Sequence, residues 1–444
     1  MALESVGDLA IHVIISKLGA TGAASVACVS RRFRSWASED DSLWEKFCSD
    51  ELALKSPVDP LGRPTASFKE AYSSWRNAFH MYPWSLVIRV KRCWDRLKNW
   101  LAANFPEVLG TLRNGATEEE IKNLEVTLQV KLPLPTRVLY RFCDGQELDV
   151  DESSGSADKS LLGLIGGYSF YSHLVNVFLL PSHRVIEITK IIQRQSGFNN
   201  RSKYIAVAVS SIYSGKFFFL DCTRGQLFVG TRNLTSDGEM ITCVPESLLS
   251  SVHDSDGSLI QDAMLLWLEE HARRLESGIV KVRKEGDMKW INLFPEQPPL
   301  CSTAVTNGVK VRASSVFVPE QSNCQDEDDR FCFGYSIRMS LLSEGCIING
   351  MKFGSCQLYW RNWVIRANDT VVDNFNGEGV IGKFPLLRPG EEEFVYESCT
   401  YMTSSPGSIE GFFTFIPGRL ADPVGAPFQV EVASFPLQVP DYIF

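Results

Sequence analysis

The sequence predicts a multidomain α+β protein in which a helical N-terminal segment, a mixed middle region and an all-β C-terminal region follow one another. Residues 5–50 place apolar side chains at helical spacing, residues 117–278 combine helical and strand-like segments, and after residue 300 the apolar period is two. A chain of 444 residues is longer than one hydrophobic core usually organises. We therefore expect about two to four domains.

Composition and charge narrow the class of protein. A hydrophobic fraction of 44% with 22% charged residues is typical of a globular chain. The 44 basic and 53 acidic residues give a net charge of -9, which disfavours a dedicated nucleic-acid-binding protein. The cysteines occur singly, without a C-x-x-C pair, as expected for reduced thiols of an intracellular protein.

The N-terminus and the apolar runs indicate where the protein resides. Glu4 and Asp8 stand where a secretion signal would carry basic residues. No apolar run approaches the length of about 18 residues that suggests a membrane-spanning helix. We therefore expect a protein of the nucleus or cytoplasm, without membrane contact.

The first fifty residues read as short amphipathic helices. The first apolar stripe, at positions i, i+3, i+4 and i+7, consists of Ile11, Ile14, Ile15 and Leu18. The second stripe consists of Val26, Val29, Phe33 and Trp36, and a third helix is predicted in EDDSLWEKF, residues 39–47. These helices fit a small domain with its own core, and they also fit a surface whose surplus apolar area is covered by a partner helix.

The order of residues in this segment resembles an F-box. The matching positions are Asp8, Leu9, Ile14, Leu18, the run VACVSRRF from Val26 to Phe33, Leu43 and Trp44. The resemblance covers residues 1–52 and implies a domain that docks on a Skp-type adaptor and, through it, on a cullin. The adaptor contact that it implies, part of which must also pack the domain's own core, consists of Leu9, Ile14, Leu18, Val26, Val29 and Trp44.

Residues 53–84 are predicted to form a helical linker. A proline-rich connector, KSPVDPLGRPTAS, is followed by helical spacing at Phe68, Tyr72, Trp75 and Phe79. The next helix carries basic residues around its apolar stripe, namely Arg89, Arg92, Arg96 and Lys98. A solvated helix face explains this basic set best, and a nucleic-acid-binding helix is the weaker alternative.

The middle region, residues 85–280, is predicted to be an α+β domain. Thr117 and Glu120 form a capping-box pattern at the start of a helix. Strand-like segments follow in GLIGGYS (163–169), VNVFLLP (175–181) and KFFFLDCTRGQLFVG (216–230), and a helix over 258–278 closes the domain. His271 lies on the apolar side of that helix without a second histidine one turn away, so we expect a packed residue rather than a ligand. The run TEEEIKNLEVTLQVKLPLPTRVLYRFCDGQEL (117–148) resembles the SUKH superfamily.

Residues 298–444 are predicted to form an antiparallel β-sandwich. Tyr335, Ile337, Met339 and Leu341 alternate with polar residues, and so do Phe428, Val430 and Val432. Further strand-like segments are SCQLYWRNWVIRA (355–367), EEFVYESC (392–399) and GSIEGFFTFIPG (407–418), with turn residues between them. Several short strands separated by turns are typical of a sandwich.

One motif in this region, NGEGVIG, has the G-x-G-x-x-G spacing of dinucleotide-binding loops. Its glycines are Gly377, Gly379 and Gly382. Such a loop requires a helix after the last glycine, and Pro385 and Pro389 exclude a helix of useful length there. We interpret the glycines as positive-φ or bulge positions in a loop that joins strands, with an anion-binding loop as the alternative.

The C-terminal region resembles ApaG. The matching elements are YSIRMSL, QLYWRNWVI, NGEGVIG, PLLRPGEEEFVYES, PGSIEGFFTF and FPL. The resemblance implies a sandwich similar to fibronectin type III domains. It also implies that Gly377, Gly379 and Gly382 can hold a phosphate-containing ligand through backbone amides, because the family's glycine motif has been connected with pyrophosphate compounds.

The sequence gives no sign of an enzyme. All six histidines precede the β-rich region, so the sandwich cannot assemble a Ser-His-Asp triad or a histidine-bound metal from its own residues. A phosphate-binding P-loop motif is also absent. We expect no catalytic residues, no metal and no cofactor.

The three resemblances occur in the order of a plant Skp-interacting F-box protein. This order implies a non-catalytic substrate-recognition subunit of a Skp-cullin-F-box ubiquitin ligase, which recruits a protein substrate through the SUKH-like domain, the ApaG domain or both. The alternative is a phosphate- or nucleotide-binding module that uses the glycine loop.

Overall fold

The computed structural model describes residues 8–38, 41–147, 161–210, 215–249 and 261–444, without the side chains of residues 8, 9 and 38. The helices of this part are α1 (Asp8–Val26), α2 (Arg31–Ser38), α3 (Asp41–Leu52), α4 (Phe68–Ala78), α5 (Trp84–Asn104), α6 (Pro106–Leu109), α7 (Glu118–Leu128), α8 (Leu134–Phe142), α9 (Ser182–Ile192), α10 (Leu234–Asp237) and α11 (Ala263–Glu276). The strands of the middle region are β1 (Gly166–Phe170), β2 (His173–Leu179), β3 (Tyr204–Ser210), β4 (Phe217–Asp221), β5 (Leu227–Gly230), β6 (Met240–Thr242), β7 (Lys281–Glu285) and β8 (Met288–Asn292).

The strands of the C-terminal region follow without a long helix between them. They are β9 (Cys301–Thr306), β10 (Val309–Phe317), β11 (Phe331–Leu341), β12 (Cys346–Ile348), β13 (Met351–Phe353), β14 (Cys356–Ala367), β15 (Thr370–Glu378), β16 (Leu386–Leu387), β17 (Phe394–Met402), β18 (Gly407–Arg419), β19 (Asp422–Pro423) and β20 (Phe428–Leu437). The predicted multidomain α+β class is confirmed.

The N-terminal helices form a small bundle that continues into the linker. Helix α1 breaks at Gly19, whose φ of 70° lies outside the helical region, and both of its halves contribute buried residues. Helix α1 packs against α2 and α3, and α3 packs against α4. Asp41 at the start of α3 accepts hydrogen bonds from the amides of Phe68 and Lys69 at 3.1 and 3.2 Å, which fixes where α4 begins.

The predicted linker packs against the domains on both sides of it. Trp75 of α4 stacks on Phe142 of α8 with ring centroids 5.9 Å apart. Just before α5, Tyr82 donates from its hydroxyl to Glu118 at 2.6 Å. The bundle, the linker and the middle domain therefore share a continuous core.

The middle domain contains an eight-stranded sheet with helices packed against it. The capping box is confirmed, since the Thr117 side chain accepts from the Glu120 amide at 3.2 Å while Glu120 accepts from the Thr117 amide at 2.7 Å. The strand order is β6-β5-β4-β3-β2-β1-β8-β7, and only the β1–β8 pair is parallel. The predicted boundary at residue 280 was wrong, because β7 and β8 complete this sheet through the pairing of Gly167 with Asn292.

The C-terminal domain is the predicted antiparallel sandwich. One sheet has the order β17-β11-β10-β9, and the other has β15, β14 and β18 in sequence, with β19 and β20 on β18. Trp363 of β14 and Phe413 of β18 fill the core between the sheets with an edge-to-face contact at 5.3 Å.

A buried polar network joins the middle domain to the sandwich. The ammonium of Lys216, fully buried, donates to the Tyr168 hydroxyl at 2.9 Å and to the main-chain oxygen of Phe444 at 2.6 Å. Glu320, on the turn before β11, lies 3.7 Å from Lys216 and 2.8 Å from His173. Burial opposes the charged form of Glu320, but Lys216 and His173 outweigh it and hold the pKa of this carboxyl below its usual value. The network couples the two domains through charge as well as packing.

Candidate functional site: an exposed apolar face on the N-terminal helices

The first half of helix α1 divides its apolar residues between the core and solvent. Ile11 and Ile15 are buried against the bundle, whereas Ile14 is 44% and Leu18 51% exposed. Val13, which lies off the predicted stripe, is 47% exposed. The chain's own fold therefore leaves adjacent large apolar side chains uncovered, which is the usual mark of a protein-binding surface.

A further exposed apolar residue follows the second half of α1. Val29, in the turn before α2, is 71% exposed, and Val26 is half-buried at the end of α1. Lys17, Arg31 and Arg34 are exposed nearby in sequence. We call Val13, Ile14, Leu18 and Val29 the apolar face. An apolar centre with polar neighbours is the ordinary composition of a protein–protein interface.

One of the predicted contact residues, Trp44, is buried, and the side chain of another, Leu9, is not described. Trp44 is only 6% exposed, its indole N–H donates to the Ala37 carbonyl at 2.7 Å, and its ring packs against Phe47 and Tyr72. Its side chain can touch a partner only if the bundle opens, so the structure places it in the bundle's own core. Leu9 belongs to α1, and its side chain lies outside the described part of the chain.

The glycine motif forms a tight turn after strand β15. Ile381 and Gly382 both have positive φ, at 43° and 73°, and the chain turns between Val380 and Lys383, whose amides and carbonyls bond to each other at 2.8 and 2.9 Å. Gly379 has φ +58°, whereas Gly377 lies in extended β15 opposite Arg361. The turn interpretation is therefore confirmed at Gly379 and Gly382.

Several groups that an anion would need in this turn already have partners. The amide of Gly379 donates to the Tyr359 carbonyl at 2.9 Å, and the amides of Val380 and Lys383 bond across the turn. The Arg361 guanidinium donates to the Gly379 carbonyl at 2.6 Å. Backbone geometry alone thus explains Gly379 and Gly382, without a ligand.

Replacing Gly379 with alanine is expected to destabilise the sandwich by about 1–3 kcal/mol, whatever ligands are present. A Cβ at this positive-φ position would lie 2.6 Å from the Lys383 carbonyl oxygen. The Gly377→Ala change is the matched control, since its Cβ would meet nothing closer than 3.7 Å. Chemical unfolding of both variants measures the difference, and equal midpoints would show that the turn does not need glycine.

His271 packs in the core of the middle domain, as predicted. It is fully buried, its Nε2 donates to the Leu164 carbonyl at 2.9 Å, and its ring lies 5.4 Å from that of Phe444. Burial lowers the pKa of this imidazole from 6.5 to about 4. The unfolded chain therefore binds a proton between these pH values that the folded chain does not.

Because of His271, the free energy of unfolding is expected to fall by about 3 kcal/mol as the pH falls from 6.5 to 4. Above pH 6.5 the imidazole is neutral in both states and the cost disappears. Unfolding free energies of wild type and His271→Gln across this range measure it, and the variant should lose less stability on acidification. The exposed His80→Gln change is the control. If the two variants depend on pH in the same way, His271 does not carry the effect.

The basic residues of α5 are partly neutralised within the molecule. Arg89 forms an ion pair with Glu269 of α11 at 2.6 Å, and Arg96 forms one with Glu276 at 2.6 Å. These contacts fix the packing of α5 on α11 and reduce the positive charge available to a nucleic acid.

None of the helices in the described part of the chain combines the length and the apolar character that crossing a membrane requires. In the same part, acidic, histidine and cysteine side chains form no cluster that could hold a metal ion.

Comparison with known proteins supports the N- and C-terminal assignments. The ApaG domain family matches residues 321–417. F-box protein SKIP16 of Arabidopsis thaliana is 57% identical over 445 residues, covering 100% of both chains. F-box only protein 3 of Homo sapiens is 24% identical and covers 100% of this chain and 84% of that protein. Protein ApaG of Nitrosomonas europaea is 34% identical over 132 residues, which are 30% of this chain and 91% of that protein.

These likenesses span the whole chain and place its β-sandwich among ApaG domains. The SUKH resemblance of the middle domain stays a prediction. The chain belongs to the F-box proteins that carry a C-terminal ApaG domain.

Proposed function

We propose that the chain is the substrate-recognition subunit of a Skp-cullin-F-box ubiquitin ligase and that it docks a Skp-type adaptor through the apolar face. The observation that carries this proposal is the exposure of Ile14 and Leu18 beside buried Ile11 and Ile15 in an F-box protein. Covering large apolar side chains supplies much of the free energy of such interfaces. Trp44 would contribute by supporting the bundle rather than by touching the adaptor.

The middle domain and the sandwich would recruit the protein substrate. The buried network of Lys216 and Glu320 supports this role because it joins the two domains into one platform. The chain itself would carry out no bond chemistry. It would raise the effective concentration of a substrate lysine near the ubiquitin-loaded conjugating enzyme, in the nucleus or the cytoplasm.

Affinity purification of the tagged full-length chain under non-denaturing conditions tests the proposal. We expect a Skp-type adaptor and a cullin in the eluate. An eluate that contains the folded chain without an adaptor would contradict the ligase role.

The glycine-loop alternative has less support, because the amides of Gly379, Val380 and Lys383 already have backbone partners. Calorimetry of the full chain with pyrophosphate and with a dinucleotide tests it. We expect no saturable heat from either compound, and saturable binding would revive the alternative.

A further inference from the structure

The sandwich leaves strand β15 open at one edge, whereas it covers the outer edges of β17, β9 and β20. Strand β17 is covered by the middle domain, where Ser169 donates to Glu397 at 3.2 Å and Tyr171 hydrogen-bonds to Ser398 at 2.8 Å. Strands β9 and β20 lie side by side, and Ser302 donates to the Ala433 carbonyl at 2.7 Å between them. These edges are therefore not available to another chain.

Strand β15 has no such cover. It pairs with β14 on one side, and no strand among the described residues pairs with its other edge. Seven of its nine residues are exposed, so that edge faces solvent along its length. Val371 and Val372 are among the exposed positions. Proteins usually protect an exposed edge with proline, with lysine or by shortening the strand, because its unpaired amides and carbonyls can add a foreign strand.

Two of the protective devices, proline and lysine, are absent from β15, and a bulge is confined to its start. Its sequence, TVVDNFNGE, contains neither proline nor lysine. The register shift in its pairing lies near its start, between Ile365 and Arg366 of β14, and leaves the stretch from Asp373 to Glu378 regularly paired. This stretch can therefore serve as a template for an added antiparallel or parallel strand.

The charge of the strand indicates which kind of segment fits it. Asp369 lies in the turn between β14 and β15, and Asp373 and Glu378 lie in β15 itself. No lysine or arginine occurs between Ala367 and Gly382. None of these three acids forms an ion pair with another described residue. If β15 of a second copy of this chain paired with this strand, the same acids of both copies would lie close together and repel each other. A basic segment would instead be attracted.

The two faces of β15 indicate the pattern of the added strand. Phe375 lies opposite buried Trp363, so this face, which also carries Asp373, offers an apolar neighbour. On the other face, Asn374, Asn376 and Glu378 are exposed and polar. We propose that strand β15 binds an extended segment of a partner protein that contains both basic and apolar residues. The identification of this segment as part of a ubiquitination substrate rests on the proposed ligase function.

The test uses the full chain and a synthetic peptide of alternating lysine and valine, matched in length to the strand. Hydrogen exchange should show protection of residues 370–378 on peptide addition, and titration should show binding that weakens with salt. An alternating glutamate-valine peptide should not bind. Absence of protection in the strand, or equal binding of both peptides, would overturn the proposal.

The second part of the test reverses the charge of strand β15. The Asp373→Lys, Glu378→Lys variant should bind the lysine-valine peptide about tenfold or more weakly. The matched control reverses Asp422 and Glu431, two exposed acids elsewhere in the same sheet, and should bind like wild type. An equal loss in both variants would show a non-specific charge effect and overturn the site.

A different result would show that the edge of β15 binds a second copy of this chain, and it would contradict the proposal. Protection of β15 that depends on chain concentration without peptide, together with a doubled mass, would show that a second copy occupies the edge instead. All of these measurements are independent of the adaptor-binding helices, so their failure leaves the ligase role to be decided by the purification experiment.

Discussion

Replacing Ile14 and Leu18 together with glutamine is expected to weaken binding to a Skp-type adaptor by roughly a hundredfold or more. Both side chains are about half exposed in the free chain, so the adaptor rather than the chain's own core would bury them. Glutamine keeps a good helix propensity, and its amide would be left without water in the interface. Titration of the purified variant with purified adaptor measures the loss.

The control for this prediction changes two equally exposed apolar residues outside the apolar face. Leu61 and Met81, both in the linker segment 53–84, are 65% and 60% exposed. Their double glutamine variant should bind the adaptor like wild type. If it loses as much affinity as the Ile14 and Leu18 variant, glutamine weakens binding wherever it replaces an exposed apolar residue, and the apolar face is not the docking site.

The Trp44→Ala change should reduce adaptor binding by a different route. Its ring is buried against Phe47 and Tyr72, and removing a buried tryptophan typically costs about 3–5 kcal/mol of stability. The variant should therefore unfold more easily, whereas the Ile14 and Leu18 variant should keep the wild-type unfolding midpoint. Thermal unfolding of both proteins separates a structural role from a contact role.

The Lys216→Met change is expected to destabilise the chain by about 3–5 kcal/mol. Lys216 is fully buried at the junction between the middle domain and the sandwich, and Glu320 lies beside it. Removing the ammonium leaves the carboxylate of Glu320 buried with His173 and Tyr168 as its remaining partners. Urea unfolding of the full chain measures the cost.

Two further variants locate the origin of this effect. Adding Glu320→Gln to Lys216→Met removes the unpaired charge and should recover part of the lost stability. The Lys122→Met change, at an exposed lysine of α7, should alter stability by less than about 0.5 kcal/mol. If Lys216→Met unfolds like Lys122→Met, the network does not hold the domains together.

Local structure followed well from the sequence wherever neighbours within one helical turn or one strand determine it. The capping box of Thr117 and Glu120 involves residues three positions apart, and the strands of the sandwich alternate as their apolar period requires. The turn at Gly379 and Gly382 followed from the two prolines that exclude a helix after it.

The division of the first helix between core and surface did not follow from periodicity. Ile11, Ile14, Ile15 and Leu18 form one stripe at helical spacing, and only the position of α2 and α3 decides which of its edges is covered. The burial of Trp44 similarly depends on Ala37 and on Tyr72 of the linker. Side-chain exposure of this kind is a property of tertiary packing.

Contacts between domains were also beyond sequence reasoning. Lys216 and Glu320 are far apart in the chain, and nothing in their neighbours indicates that they meet. The middle sheet extends past residue 280 because β8 pairs with β1, a long-range parallel pairing without a local signal. The open edge of β15 likewise depends on which strands lie side by side, which no local pattern predicts.

Hydrogen exchange of the full chain, alone and saturated with a purified Skp-type adaptor, shows whether the adaptor docks on the apolar face. We expect the adaptor to bind and to slow exchange of backbone amides between Ile11 and Val29, around the apolar face, while β15 exchanges as before. A chain that forms no complex, or a complex in which this segment exchanges at the rate of the free chain, would contradict docking at this face.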